Sequence, residues 1–159
     1  MTRPPTIAVL VPCYNEEVTI RTVVADFRRV LPEATIYVYD NNSTDRTSEM
    51  ARAAGAVVRS EPLQGKGNVV RRMFADIEAE VYLLVDGDAT YDAESAPAMI
   101  QRLCEHHLDM VNGARVTDIR AAYRPGHRFG NRLLTGLVAW TFGNGLTDML
   151  SGYRGFSRR

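Results

Sequence analysis

A chain of 159 residues, 45% of them apolar, has material for one domain with a buried core, too little for two, and too much hydrophobic content for disorder. Nineteen basic residues balance nineteen acidic ones, so the formal charge is zero and a whole-protein attraction to nucleic acid is excluded. The two cysteines, Cys13 and Cys104, lie far apart in dissimilar contexts and read as reduced thiols rather than a disulfide or a metal pair.

The opening "MTRPPTIAVLVP" has one arginine and a short apolar run broken by Pro12, which is no signal peptide. No segment approaches the roughly 18 apolar residues that span a bilayer, so the expectation is a soluble or peripheral chain. The first candidate strand, "IAVLV" (7–11), is followed by "PCYNEE" and a helical pattern over 16–31, with apolar residues recurring on one face. A second strand, "TIYVYD" (35–40), leads through "NNSTDRT" into a helix over 44–55. A third, "AVVRS" (56–60), leads through "EPLQGKG" into a helix over 67–79. A fourth, "VYLLVD" (81–86), leads through "GDAT" into a helix over 94–107, and "DMVNGA" (109–114) closes the series. Strands alternating with helices predict βαβ units and a mostly parallel sheet covered on both faces. In such a sheet the ligand site lies beyond the carboxyl ends of the strands, where their order reverses.

The segments after the strands concentrate polar chemistry. Asp86 and Asp88, if the chain stays extended, face the same way about 6.6 Å apart along the backbone. They would repel each other unless a cation lies between them, and hard carboxylate oxygens suit Mg²⁺ or Mn²⁺. A solvated turn in which Gly87 takes a positive φ is the alternative. Asn15 is a plausible helix N-cap, with Glu16 and Glu17 favourable in the first turn; Pro12 and Tyr14 are left over and could wall a flat ring. Asp40 ends a strand where it could accept hydrogen bonds from a nucleobase or ribose, or could cap the next helix. A dinucleotide fingerprint and a P-loop are both absent. Lys66, the only lysine, stands between two glycines ahead of a helix, an arrangement that attracts anions or forms a surface loop. From residue 123 onward, Arg124, Arg128, Arg132, Arg154 and His127 interleave with aromatic residues, a pattern that suits a membrane surface, a partner's groove or an ordinary packed helix.

Taken in order, "VPCYNEE", "DNNSTDRT", "QGKGNVVRRM", "LLVDGDAT" and "TDMLSGYRGFSRR" resemble the family 2 glycosyltransferases of the GT-A fold. The likeness is greatest to the branch of dolichyl-phosphate mannose synthases and bacterial polyprenyl-phosphate sugar transferases, and it covers residues 7–159. It implies an α/β, Rossmann-like GT-A fold with a mostly parallel sheet flanked by helices on both faces. The expected organisation is a single catalytic domain over 1–159, cut before C-terminal membrane-associated helices. The implied reaction is transfer of a sugar, with inversion, from a UDP- or GDP-linked donor to a lipid phosphate at the cytoplasmic face of the cell membrane, for the cell envelope. Transfer to a hydroxyl, or donor binding without turnover, are the alternatives; a nucleotidyltransferase is disfavoured because "PCYNEE" is not its Gly- and Arg-rich loop.

The resemblance assigns Pro12, Tyr14, Glu16, Asp40 and Asn42 to the nucleotide, with Lys66 bordering the donor. Asp86 and Asp88 fall to the ribose, the diphosphate and its Mg²⁺ or Mn²⁺. Asp148, ahead of the S-G-Y-R element, is placed near the acceptor and the reacting sugar, with Asp88 beside it in the catalytic set. Arg124, Arg128 and Arg154 are the candidate clamps for an acceptor phosphate. Residue 90 is Thr where the mannose synthases commonly carry Gln. The implied partners are the sugar nucleotide, the lipid acceptor and the membrane surface, with room for an oligomer and no nucleic acid.

Overall fold

β-branched apolar runs alternate with amphipathic helices, and the chain accordingly winds into a three-layer α/β sandwich. The computed structural model describes residues 3–113 and 151–158. The elements are β1 (Ile7–Cys13), α1 (Ile20–Val30), β2 (Thr35–Asp40), α2 (Thr47–Ala53), β3 (Val57–Ser60), α3 (Lys66–Asp76), β4 (Val81–Leu84), a 3₁₀ turn (Ala93–Ser95), α4 (Ala96–Glu105), β5 (Met110–Asn112) and β6 (Arg154–Ser157). The sheet runs β3-β2-β1-β4-β6-β5. β1, β2, β3 and β4 are mutually parallel, while β6 runs antiparallel to both β4 and β5. The expected α/β GT-A architecture, mostly parallel and flanked on both faces, is what forms.

Strand alternation divides β1 between two cores. Val9 and Val11 face one side, under α1, α2 and α4, where Val24, Phe27, Ala51, Ile100 and Leu103 are buried. Ala8 and Leu10 face the other, where Val69 and Met73 of α3 cover them. The central strands β1 and β4 are buried almost throughout, whereas edge strand β3 is mostly exposed and carries Arg59, which discourages pairing with another chain.

Two expectations are corrected. First, α1 starts at Ile20 with Thr19 ahead of it, not at Glu16. Asn15 takes a positive φ of 55° and its Oδ1 accepts from the Thr44 backbone N–H at 2.8 Å, so it ties two loops together instead of capping a helix. Second, residues 154–157 are a strand, which went unforeseen because "RGFS" is short and contains Gly; Phe156 pairs with both Tyr82 and Met110.

The strand order turns at β1. β2 lies on one side of it and β4 on the other, so the carboxyl ends of β1 and β4 flank a crevice. The opposite end is closed by Glu80, whose Oε2 accepts from the Thr6 backbone N–H at 2.8 Å; that bond, with Arg3 nearby, holds its carboxyl below the usual glutamate range. A depressed folded pKa stabilises the fold above the ordinary glutamate pKa, and the contribution fades as pH falls through the folded value. Glu80→Gln should therefore lower the urea midpoint at pH 7, with the gap from wild type closing in acid. A gap independent of pH would show that the charge is not what matters there.

Candidate active site

The crevice is a pocket of about 320 Å³. One wall comes from the end of β1 and the loop after it (Pro12, Cys13, Tyr14, Glu16), the other from the segment after β4 (Asp86, Gly87, Asp88). Asn41, at the end of β2, and Lys66 and Val69 of α3 complete the lining. Pro12 and Cys13 are buried, and Tyr14 is half exposed at the rim.

Asp86 is partly buried, whereas Asp88 is exposed. Lys66 Nζ forms an ion pair with its Oδ1. Gly152, in the segment ahead of β6, packs against the same carboxylate so closely that a Cβ there would collide with Oδ2. The Gly152 N–H donates to the Tyr91 hydroxyl at 2.6 Å, which fixes this approach. Asp88 is exposed, and the chain turns instead of staying extended: the positive φ falls on Ala89 (58°), not on Gly87. Thr90 turns back onto Asp88, its Oγ1 donating to Oδ1 at 2.7 Å and its N–H at 3.1 Å. The residue standing where the mannose synthases carry Gln thus orients the second aspartate. Gly87 is required for space, since a Cβ would lie 2.7 Å from Cys13 Sγ.

Three carboxylates, Glu16, Asp86 and Asp88, share the lining with one ammonium, Lys66. Burial pushes the Glu16 carboxyl up, and the neighbouring charges of Asp88 and Asp86 push it further. Burial likewise raises the Cys13 thiol, with Glu16 and Asp40 adding to the effect, so that side chain packs as an apolar group and not a nucleophile. The excess negative charge draws a cation. Among the described residues no three acidic, His or Cys side chains form a metal cluster, so Asp86 and Asp88 could hold Mg²⁺ or Mn²⁺ only with ligand oxygens and water completing the shell. Hard carboxylate donors in the pocket lining fit such an ion.

Other candidates lie at the margin. Asp40 is beside the pocket, its Oδ1 accepting from Ser43 N–H at 3.0 Å and its Oδ2 from Ser48 Oγ at 2.8 Å. Asn42 is exposed and donates to Pro62 O and Gln64 Oε1 at 3.0 and 2.9 Å. Arg154 lies in β6, its Nε donating to Ser151 O at 3.0 Å. Arg124, Arg128 and Asp148 lie outside the described residues.

Asn41 and Gly152 were not singled out from sequence. Asn41 is buried, and its Nδ2 donates to Glu61 O and Leu63 O at 2.8 and 2.9 Å while Oδ1 accepts from Gly65 N–H at 2.7 Å. It thereby holds residues 61–65 in place, ending on Gly65 at φ 122°, a conformation that favours glycine and presents Lys66 to the pocket. Asn41 was one polar letter among five in "DNNST", and only the fold tells which of them turns inward.

An acidic pocket at the switch point of an open α/β sheet, with a lysine at a helix start, sits in an architecture shared with GT-A fold glycosyltransferases. Residues 8–159 match the family model described as Glycosyl transferase family 2, and the chain belongs to that family. It is 58% identical to Protein RfbJ of Shigella flexneri over 77% of this chain and 95% of that protein. It is 41% identical to Glycosyltransferase AglJ of Haloferax volcanii over 99% of this chain and 52% of the relative, and 32% identical to the same organism's Dolichyl-phosphate hexose transferase over 96% and 66%. The glucosyl-3-phosphoglycerate synthase of Mycobacterium tuberculosis, solved with Mn²⁺, UDP-glucose and phosphoglyceric acid, superposes with a TM-score of 0.78 at 25% identity, over 96% of this chain and 57% of that one. The chain thus spans about half to two thirds of these last three relatives. Among the described residues, no helix is long and apolar enough to cross a membrane.

Asn41→Ala should cost about 1–3 kcal/mol, because it strands buried backbone groups at Glu61, Leu63 and Gly65. Urea unfolding measures this, and a loss below a few tenths would mean water replaces the side chain at no cost.

Proposed function

We propose that the protein is an inverting, metal-dependent glycosyltransferase that moves a sugar from a UDP- or GDP-linked donor to a polyprenyl phosphate at the cytoplasmic face of the cell membrane. The observation that carries this reading is the switch-point pocket, in which Asp86, Asp88 and Lys66 converge. Family membership supports the reaction class, and the solved synthase, bound to Mn²⁺ and UDP-glucose, supports the donor and the metal. The similarity to a dolichyl-phosphate hexose transferase supports the lipid phosphate, as does the run of arginines and aromatics in 123–142.

In this reading Pro12 and Tyr14 form a wall against the base, and Glu16, Asp40 and Asn42 meet the polar edges of the nucleoside. Each Asp40 oxygen keeps lone-pair capacity beyond its bond to Ser43 or Ser48. Lys66 meets the diphosphate. Bound by Asp86 and Asp88, Mg²⁺ or Mn²⁺ would offset the charge that builds on the departing diphosphate. The acceptor oxygen displaces the diphosphate from the anomeric carbon in one step, breaking one C–O bond and forming another on the opposite face. A phosphate acceptor arrives ionised and needs no base, so Asp148 positions it and Arg124, Arg128 and Arg154 clamp it.

A second reading, transfer to a hydroxyl with Asp148 as general base, gains weight from the synthase, whose bound phosphoglyceric acid is not a lipid. Transfer assays in detergent with polyprenyl phosphate, and in parallel with a hydroxyl acceptor, separate the two. For a lipid phosphate, Asp148→Asn keeps appreciable activity while Arg128→Ala raises the acceptor's KM steeply. For a hydroxyl acceptor, Asp148→Asn loses about 10²–10⁴-fold in rate, and normal acceptor kinetics for Arg128→Ala beside that loss would overturn the phosphate reading. Donor binding without transfer to either acceptor would reduce the protein to a binding domain.

A further inference from the structure

Lys66 pairs with the very carboxylate that the functional reading gives to the metal. Its Nζ sits on Asp86 Oδ1, while Gly152 presses on the same carboxylate with Oδ2 nearest, so the ammonium occupies the side that opens into the pocket. The Lys66 side chain is 52% exposed and that of Asp86 21%. The lysine end of the pair is open to solvent, so the ammonium can leave the carboxylate for another anion. Glycines flank the lysine on both sides, so no neighbouring Cβ confines its flexible four-carbon stem, which can swing. The base it swings on does not move, since Asn41 holds Gly65 N–H at 2.7 Å.

We propose that Lys66 is an exchangeable counterion that holds the cation position on Asp86 until donor and metal arrive. This rests on the reading of Asp86 as a metal ligand. An ammonium and a divalent cation cannot both sit on Asp86 Oδ1, so the bare protein binds the metal poorly. A diphosphate changes the balance, because its oxygens take up the ammonium and leave Asp86 to the ion that the diphosphate itself carries. Lys66 thereby couples metal and diphosphate binding: it opposes the first alone and favours the two together. The lysine also keeps Asp86 from facing Asp88 and Glu16 as an uncompensated third charge when no metal is bound.

The test is Mn²⁺ binding, followed by electron paramagnetic resonance, to the protein without nucleotide, for wild type, Lys66→Met, Asp86→Asn and the double variant, with folding checked by circular dichroism. Lys66→Met should bind Mn²⁺ about tenfold more tightly than wild type, ~1.4 kcal/mol, and the gain should vanish in the Lys66→Met/Asp86→Asn variant. With UDP or GDP added, the order should reverse, wild type binding the Mn²⁺–nucleotide more tightly. A Mn²⁺ affinity in Lys66→Met no greater than in wild type, or a gain that survives loss of Asp86, overturns the proposal. A tenfold gain in a protein that binds neither UDP nor GDP would keep the counterion role and defeat the nucleotide-sugar reading instead. Nucleotide binding with Mn²⁺ unaffected by Lys66→Met would do the opposite.

Discussion

The parallel pairing of β1 with β4, each shielded by helices, is the constraint from which the site follows. Register sets Leu10 opposite Leu84, so the two strands reach the same edge of the sheet together. Beyond that edge the segments that follow β1 and β4 form the two walls of the pocket, and the crevice between them is a consequence of winding the chain outward from β1 in both directions. Its floor is stitched by small contacts: the Thr19 hydroxyl donates to Gly87 O at 2.7 Å, and Val85 N–H donates to Leu10 O at 3.0 Å. The two halves of the pocket are therefore one unit.

Electrostatics then divides the site into a fixed part and an exchangeable part. Asn41, Gly152 and Thr90 hold the loops and carboxylates by short hydrogen bonds or direct packing, and each contact leaves little freedom. Lys66 and the three carboxylates are different, because their charges do not balance. A pocket with surplus negative charge and one movable cation is prepared for a ligand that brings its own cation with its own anion, and a nucleotide diphosphate with a divalent metal is such a ligand.

Much of this was legible in the sequence because period and punctuation agreed. The alternation of "IAVLV", "TIYVYD" and "VYLLV" with helical patterns marks a parallel sheet, and the polar segments after each strand mark its functional edge. β6 was not legible, since "RGFS" gains its strand identity only from β4 and β5 on either side. Asp86 and Asp88 stood out as a pair, yet their relation is not the extended one: the chain turns at Gly87, and Thr90 holds the second carboxylate. Asn15 looked like a cap because caps are local, whereas its actual partner, Thr44, lies 29 residues away. Asn41 could not be told from its polar neighbours, because burial, not identity, gives it its role.

The account stands most directly on one titration: calorimetry of UDP and GDP into wild type and Asp88→Ala, each with and without Mn²⁺. It predicts that one of the two nucleotides binds wild type with Mn²⁺, binds weakly without it, and loses the Mn²⁺-dependent gain in a folded Asp88→Ala protein. Equal affinity with and without the metal, or a Mn²⁺-dependent gain untouched by Asp88→Ala, would contradict the assignment of this crevice to a metal-carried sugar nucleotide.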